Sequence, residues 1–123
     1  MAKRILNMTA EEMTHATKSE LIEAIAGSEG RVLASETIGI TIHLLTDVTS
    51  AEFAASMGAD LILLNMFDVK EPKIMAPPEV EKEETVREVK RLTGRMVGIN
   101  LEPVEESYAS DNKETLWEMS AGR

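Results

Sequence analysis

Three short apolar runs constrain this chain more than anything else in it: RVLASET at residues 31–37, LILLNM at 61–66 and MVGINL at 96–101. None alternates strictly between apolar and polar residues, so each reads as a strand covered on both faces. Segments with helical spacing separate them. VTSAEFAASMGAD offers Thr49 or Ser50 as N-cap, Phe53, Ala54 and Met57 on one face, and Gly58 as a stop. EKEETVREVKRLTG turns Val86, Val89 and Leu92 inward, sets a Glu83–Arg87 pair outward and ends at Gly94. Strands separated by helices of this length must run parallel. The expectation is an α/β fold with parallel strands at 31–37, 61–66 and 96–101 and helices near 50–57, 80–93 and 112–121. The last helix would be capped by Asp111 or Asn112 and carry Leu116, Trp117 and Met119.

Two further helical segments precede the first strand. Thr9 with Glu12, and Thr17 with Glu20, have the spacing of a capping box. Leu21, Ile22 and Ile25 follow as an apolar stripe, with Gly27 and Gly30 as stops. Two connections are irregular: GITIHLLTDVTS after the first strand, and DVKEPKIMAPPEV, where Pro72, Pro77 and Pro78 bar helix and inner strand. At 123 residues the chain fits one domain, 1–123.

The charge excludes some partners. The formal net charge is −9, and the basic pairs Lys3-Arg4 and Lys90-Arg91 are too small a face for nucleic acid. The same charge opposes an anionic membrane surface. MAKRILNMTAEE has only Ile5 and Leu6 before polar residues return, so it lacks the apolar stretch of a signal peptide. There are no cysteines, which removes disulfides and thiolate chemistry and fits a reducing compartment. A cytoplasmic protein is expected. Aromatics make up only 3% of the chain, and eight methionines fill some of the apolar space.

All three apolar runs end in polar groups. Right-handed crossovers put the C-terminal ends of parallel strands on one side, where open α/β sheets and barrels bind ligands. Glu36, Asn65, Asp68, Asn100 and Glu102 fall at or just beyond those ends. Glu36 stands inside an apolar segment, and a buried carboxylate needs a partner. Asn100 and Glu102 flank Leu101 and so share a side of an extended chain. Asp68 begins a loop and reads as its cap. His43 follows the first strand and joins the candidates as a substrate-binding residue; His15, on a leading helix, reads as surface. Glu36 and Glu102 are the candidate acid/base groups or ligands of Mg²⁺ or Mn²⁺, and Asn65 and Asn100 would orient substrate oxygens. The Walker loop, G-x-G-x-x-G, G-x-S-x-G and H-E-x-x-H are all missing, and GSEG precedes a strand, the wrong side for a phosphate loop.

SEGRVLASETIG, LTDVTSAEFAASMGADLILLNMFDV and VREVKRLTGRMVGINLEPV resemble the N-terminal part of a bacterial family. Its members are labelled phosphoenolpyruvate phosphonomutase-like or haloacid dehalogenase-like hydrolase. The resemblance implies a (β/α) barrel and its strand-end site. It does not carry either reaction across. The third strand reads GINLEP where D-x-D-x-G is expected, and TDVTS has one aspartate where D-x-D-x-[TV] needs two.

A closed eight-stranded barrel takes about 200 residues or more. The expected architecture is therefore a partial TIM barrel, a fragment that either associates with itself or lacks a C-terminal half. The expected function is that of a barrel-type enzyme acting on a small phosphorylated or carboxylated metabolite by lyase, isomerase or hydrolase chemistry. The alternative is a non-catalytic half-barrel or metabolite-binding domain.

Overall fold

The structure, a computed structural model, describes residues 3–41, 45–75 and 79–101. Its centre is a parallel sheet in the order β1-β2-β3, formed by β1 (Ala34–Ile38), β2 (Leu61–Asn65) and β3 (Met96–Ile99). Leu61 pairs with Ala34 and Met96, and Leu63 pairs with Glu36 and Gly98. The expected strand order and direction hold. The helix expected near 112–121 lies outside the described residues.

β1 begins three residues later than its apolar run. At its entrance the Leu33 carbonyl accepts from the amides of Asp60 and Leu61, while the Asp60 carboxylate accepts from Leu33 N–H at 2.9 Å. This clasp uses the backbone groups of Leu33 that a longer strand would have needed.

Among the described residues four α-helices flank the sheet: α1 (Ala10–His15), α2 (Lys18–Ala26), α3 (Ser50–Ser56) and α4 (Thr85–Thr93). The first three each start at a threonine whose hydroxyl accepts the N–H three residues on, while the glutamate there accepts the threonine's own N–H. Both expected boxes form, and Thr49 with Glu52 adds a third. A threonine cap of this kind is worth about 0.5–2 kcal/mol.

α3 and α4 cover one face of the sheet. Ala51, Ala55, Ala59, Ile62, Leu64, Phe67 and Val89 form the core there, with Ile99 and Val97 packed against it. Burying a side chain such as Ile62 or Leu64 in full contributes about 1.5–3 kcal/mol. Two expectations about these helices fail. Phe53 and Met57 are exposed on α3, and Ala51 and Ala55 face the sheet instead, since small side chains let the helix approach closely. On α4, Arg87 pairs with Glu84, one turn back at i,i+3, and not with Glu83.

The second face is covered only at one end. Ile5, in a short 3₁₀ turn (Ile5–Asn7), joins Met13, Ala24 and Met96 in a separate core, with Leu21 and Leu61 packed against it. α1 is pressed against the end of α4: a Cβ on Gly94 would lie 2.7 Å from that of Ala10, and Gly94 has a φ of 61°. Of the stripe on α2, Leu21 turns inward, while Ile22 and Ile25 stay exposed. Leu63, the next residue of β2 on this second face, is 37% exposed. One face is thus covered by α3 and α4, and the other only at the N-terminal ends of β2 and β3, with Ala34 of β1 left exposed. This corrects the expectation of cover on both faces: a continuous apolar run states what a strand tolerates, and the neighbouring elements decide what it receives.

Candidate functional site

The open part of the second face carries the polar groups. Alternation along each strand places Glu36, Leu63, Asn65, Gly98 and Asn100 on the same side as Leu61 and Met96. Asn100 N–H donates to the Leu64 carbonyl at 3.0 Å, which continues the β2–β3 ladder past its last paired residue and sets the Asn100 side chain beside Asn65. From there the Asn100 amide reaches across β2. Its Nδ2 donates to Glu36 Oε1 and to Asn65 Oδ1, each a long hydrogen bond of 3.5 Å. Three of the residues singled out in the sequence therefore meet on one face, Asn65 and Asn100 at the C-terminal ends of β2 and β3 and Glu36 not at the expected end of β1 but in its middle, because β1 starts late and runs on to Ile38. Glu36 is exposed, and Asn65 and Asn100 are half-buried.

Local chemistry fixes this arrangement. Asn65 Oδ1 also accepts the backbone N–H of Met66 at 2.8 Å, and Met66 has a φ of 53°. A non-glycine residue in the left-handed region costs roughly 1–2 kcal/mol. The turn sends the chain sharply off the end of β2 and brings Phe67 back into the core under the helices, where it is 2% exposed. Asp68 then accepts the amides of Lys70 and Glu71, which is the loop-capping role expected of it. Further along the same loop, Met75 N–H donates to the Gly39 carbonyl at 2.7 Å, so the loop after β2 is tied back to the end of β1. A Cβ on Gly39 would come within 3.1 Å of Ile74, which packs on the core beneath α3 and α4.

Gly98 is the part of the site that the sequence reading passed over. A Cβ there would lie 2.8 Å from Leu63 Cδ2. Without one, Leu63 leans over β3. The signal was present, since a glycine inside a strand marks a bulge or a close approach. The left-handed turn at Met66 gives no comparable signal, because methionine has no preference for it.

Two of the candidates, His43 and Glu102, lie outside the described residues, and so does the metal role assigned to Glu102. His15 is exposed, as expected, with Nδ1 held 2.9 Å from the Glu11 carbonyl oxygen. The described groups do not make a hard-cation shell. They supply one carboxylate, and the amide of Asn100 turns its N–H groups, not its oxygen, toward Glu36 and Asn65. Mg²⁺ and Mn²⁺ require oxygen lone pairs converging on one point. Among the described residues no group of three or more His, Cys, Asp or Glu side chains is placed to hold a metal. No helix among them is long and apolar enough to cross a membrane.

What the arrangement offers is hydrogen bonding: a carboxylate that accepts, beside carboxamides that donate, on strands held by a packed core. No curated protein and no solved structure matches the chain. A family model described as a domain of unknown function, DUF7916, matches residues 6–123, and the chain belongs to that family.

Proposed function

We propose that β1, β2 and β3 are the opening strands of a (β/α) barrel, and that their C-terminal ends bind a small carboxylated or phosphorylated metabolite. The observation that carries this reading is the meeting of Asn65 and Asn100, at the end of the sheet where such folds place their ligands, with Glu36, which reaches them from the middle of β1 on the same face. The asymmetric cover supports it. In a barrel, helices line the outer face, and the inner face is a filled interior that opens toward the site. Here α3 and α4 supply the outer layer, and the Ile5 and Met13 core fills the second face at the opposite end. The likeness in sequence to phosphonomutase-like barrels agrees with it.

In this reading Glu36 is the acid/base group, and Asn65 and Asn100 orient substrate oxygens. A divalent cation enters only together with Glu102, and no step is assigned to it. The test is a titration of the full ¹⁵N-labelled chain with phosphoglycolate and malonate. Amide shifts should concentrate at Thr37–Gly39, Asn65–Phe67 and Asn100–Leu101, and Glu36→Gln should weaken or abolish them. Shifts confined to the Ile5–Ala26 end would overturn the reading, and so would silence from both these acids and from a hydroxy acid such as D-glycerate.

A further inference from the structure

The orientation of one carboxamide says more about the ligand than the composition of the site does. A backbone N–H can only donate, so the atom of Asn65 facing Met66 N–H at 2.8 Å is its oxygen. Asn100 Nδ2 approaches that same oxygen at 3.5 Å and confirms the assignment. Asn65 Oδ1 is therefore engaged twice inside the protein. The Nδ2 group, with two N–H donors, points away from both contacts and has no partner among the described residues.

Glu36 is placed in the complementary way. Its Oε1 accepts from Asn100 Nδ2, the same nitrogen that contacts Asn65, so the two side chains are held to either side of one amide. An ionised carboxylate only accepts. The site thus presents a donor, Asn65 Nδ2, oriented by the Met66 contact, and an exposed acceptor, the Glu36 carboxylate, on the same sheet face and linked to it through Asn100.

An acid that offered oxygens alone would satisfy Asn65 and meet repulsion at Glu36, because two acceptors with like charge oppose each other. A ligand that carries a hydroxyl beside its acidic group avoids this. The hydroxyl donates to Glu36 while an acid oxygen accepts from Asn65. We infer that the ligand is a 2-hydroxy acid with its hydroxyl free, read by Glu36 through that hydroxyl and by Asn65 Nδ2 through its acid oxygen. Asn100 is a positioning residue. This rests on the strand-end binding proposed above and narrows it.

The experiment compares D-glycerate with propionate, which has the same carbon count and no hydroxyl, on the full chain. The readout is the side-chain amide resonances of Asn65 together with the backbone amides at the strand ends. Glycerate should bind at least tenfold more tightly and shift the Asn65 side-chain amide. Asn65→Asp keeps the acceptor for Met66 N–H and replaces only the outward donor, so it should lower glycerate affinity at least tenfold while the Met66 amide stays near its native shift. Asn65→Ser, which lacks a second negative charge beside Glu36, should also lose the preference for glycerate. Equal binding of glycerate and propionate would overturn the inference and leave strand-end acid binding standing. So would phosphoglycolate shifting these residues when glycerate does not. Silence from every acid would remove both.

Discussion

At the N-terminal end of the second sheet face, Leu61 and Met96 lie beneath Ile5, Met13 and Ala24, and at the other end of the same strands Leu63 is 37% exposed beside Glu36, Asn65 and Asn100. The strands are the same and the register is continuous. What differs is the layer above. At the closed end, capped helices deliver small and apolar side chains, and the polar groups that must be buried there are paired. Ser28 is fully buried; its hydroxyl accepts Ile5 N–H at 3.0 Å and donates to the Ala24 carbonyl at 2.7 Å. At the open end Asn100 bonds to Glu36 and Asn65 over long distances of 3.5 Å. One end is closed by a packed layer, and the other is open.

The comparison can be broken most directly by equal truncations at its two ends. Ile5→Ala should destabilise the chain by about 2–5 kcal/mol, the usual range for a fully buried aliphatic residue. Leu63→Ala should cost less, under about 2 kcal/mol, because over a third of Leu63 is already exposed. Chemical denaturation of the two variants measures both. Equal losses would show that the open end is packed, and the contrast would fall.

Ser28→Ala probes the pairing of polar groups at the closed end. It leaves Ile5 N–H buried without its acceptor, at a cost of about 1–3 kcal/mol. Hydrogen exchange at Ile5 should accelerate more than exchange in β2. A variant as stable as the parent would mean that solvent already reaches the hydroxyl.

The smallest effect concerns pH. The Lys3 ammonium, and after it Thr9 N–H, holds the Glu12 carboxyl below its ordinary value of 4.5. Thr17 N–H, and after it the Thr17 hydroxyl, does the same for Glu20. A carboxyl with a lowered pKa in the folded state stabilises above the unfolded value and loses that contribution as pH falls through the folded one. α1 and α2 should therefore loosen as the pH drops below about 4.5, before the sheet does. Amide exchange followed against pH reads the order. With Glu12→Gln and Glu20→Gln together, the pH dependence should flatten at the closed end and leave Asn65 and Asn100 unaffected.

Much of this contrast was legible in the residues. The threonine–glutamate spacings at Thr9, Thr17 and Thr49 determine helix starts because the cap is a local interaction, complete within four residues. The parallel arrangement of three strands followed from runs separated by helix-length segments, and so did the strand-end positions of Asn65 and Asn100, whereas Glu36 lies in the middle of β1 and not at its end. Tertiary structure decided the rest. Which side of α3 faces the sheet depended on how closely the helix approaches it, so Ala51 and Ala55 went in and Phe53 stayed out. Where β1 starts depended on Asp60, far along the chain, capturing Leu33. Which atom of Asn65 faces outward depended on the left-handed turn at Met66, which no spacing in the sequence encodes. Local patterns are fixed by neighbours along the chain; faces, entrances and side-chain orientations are fixed by neighbours in space.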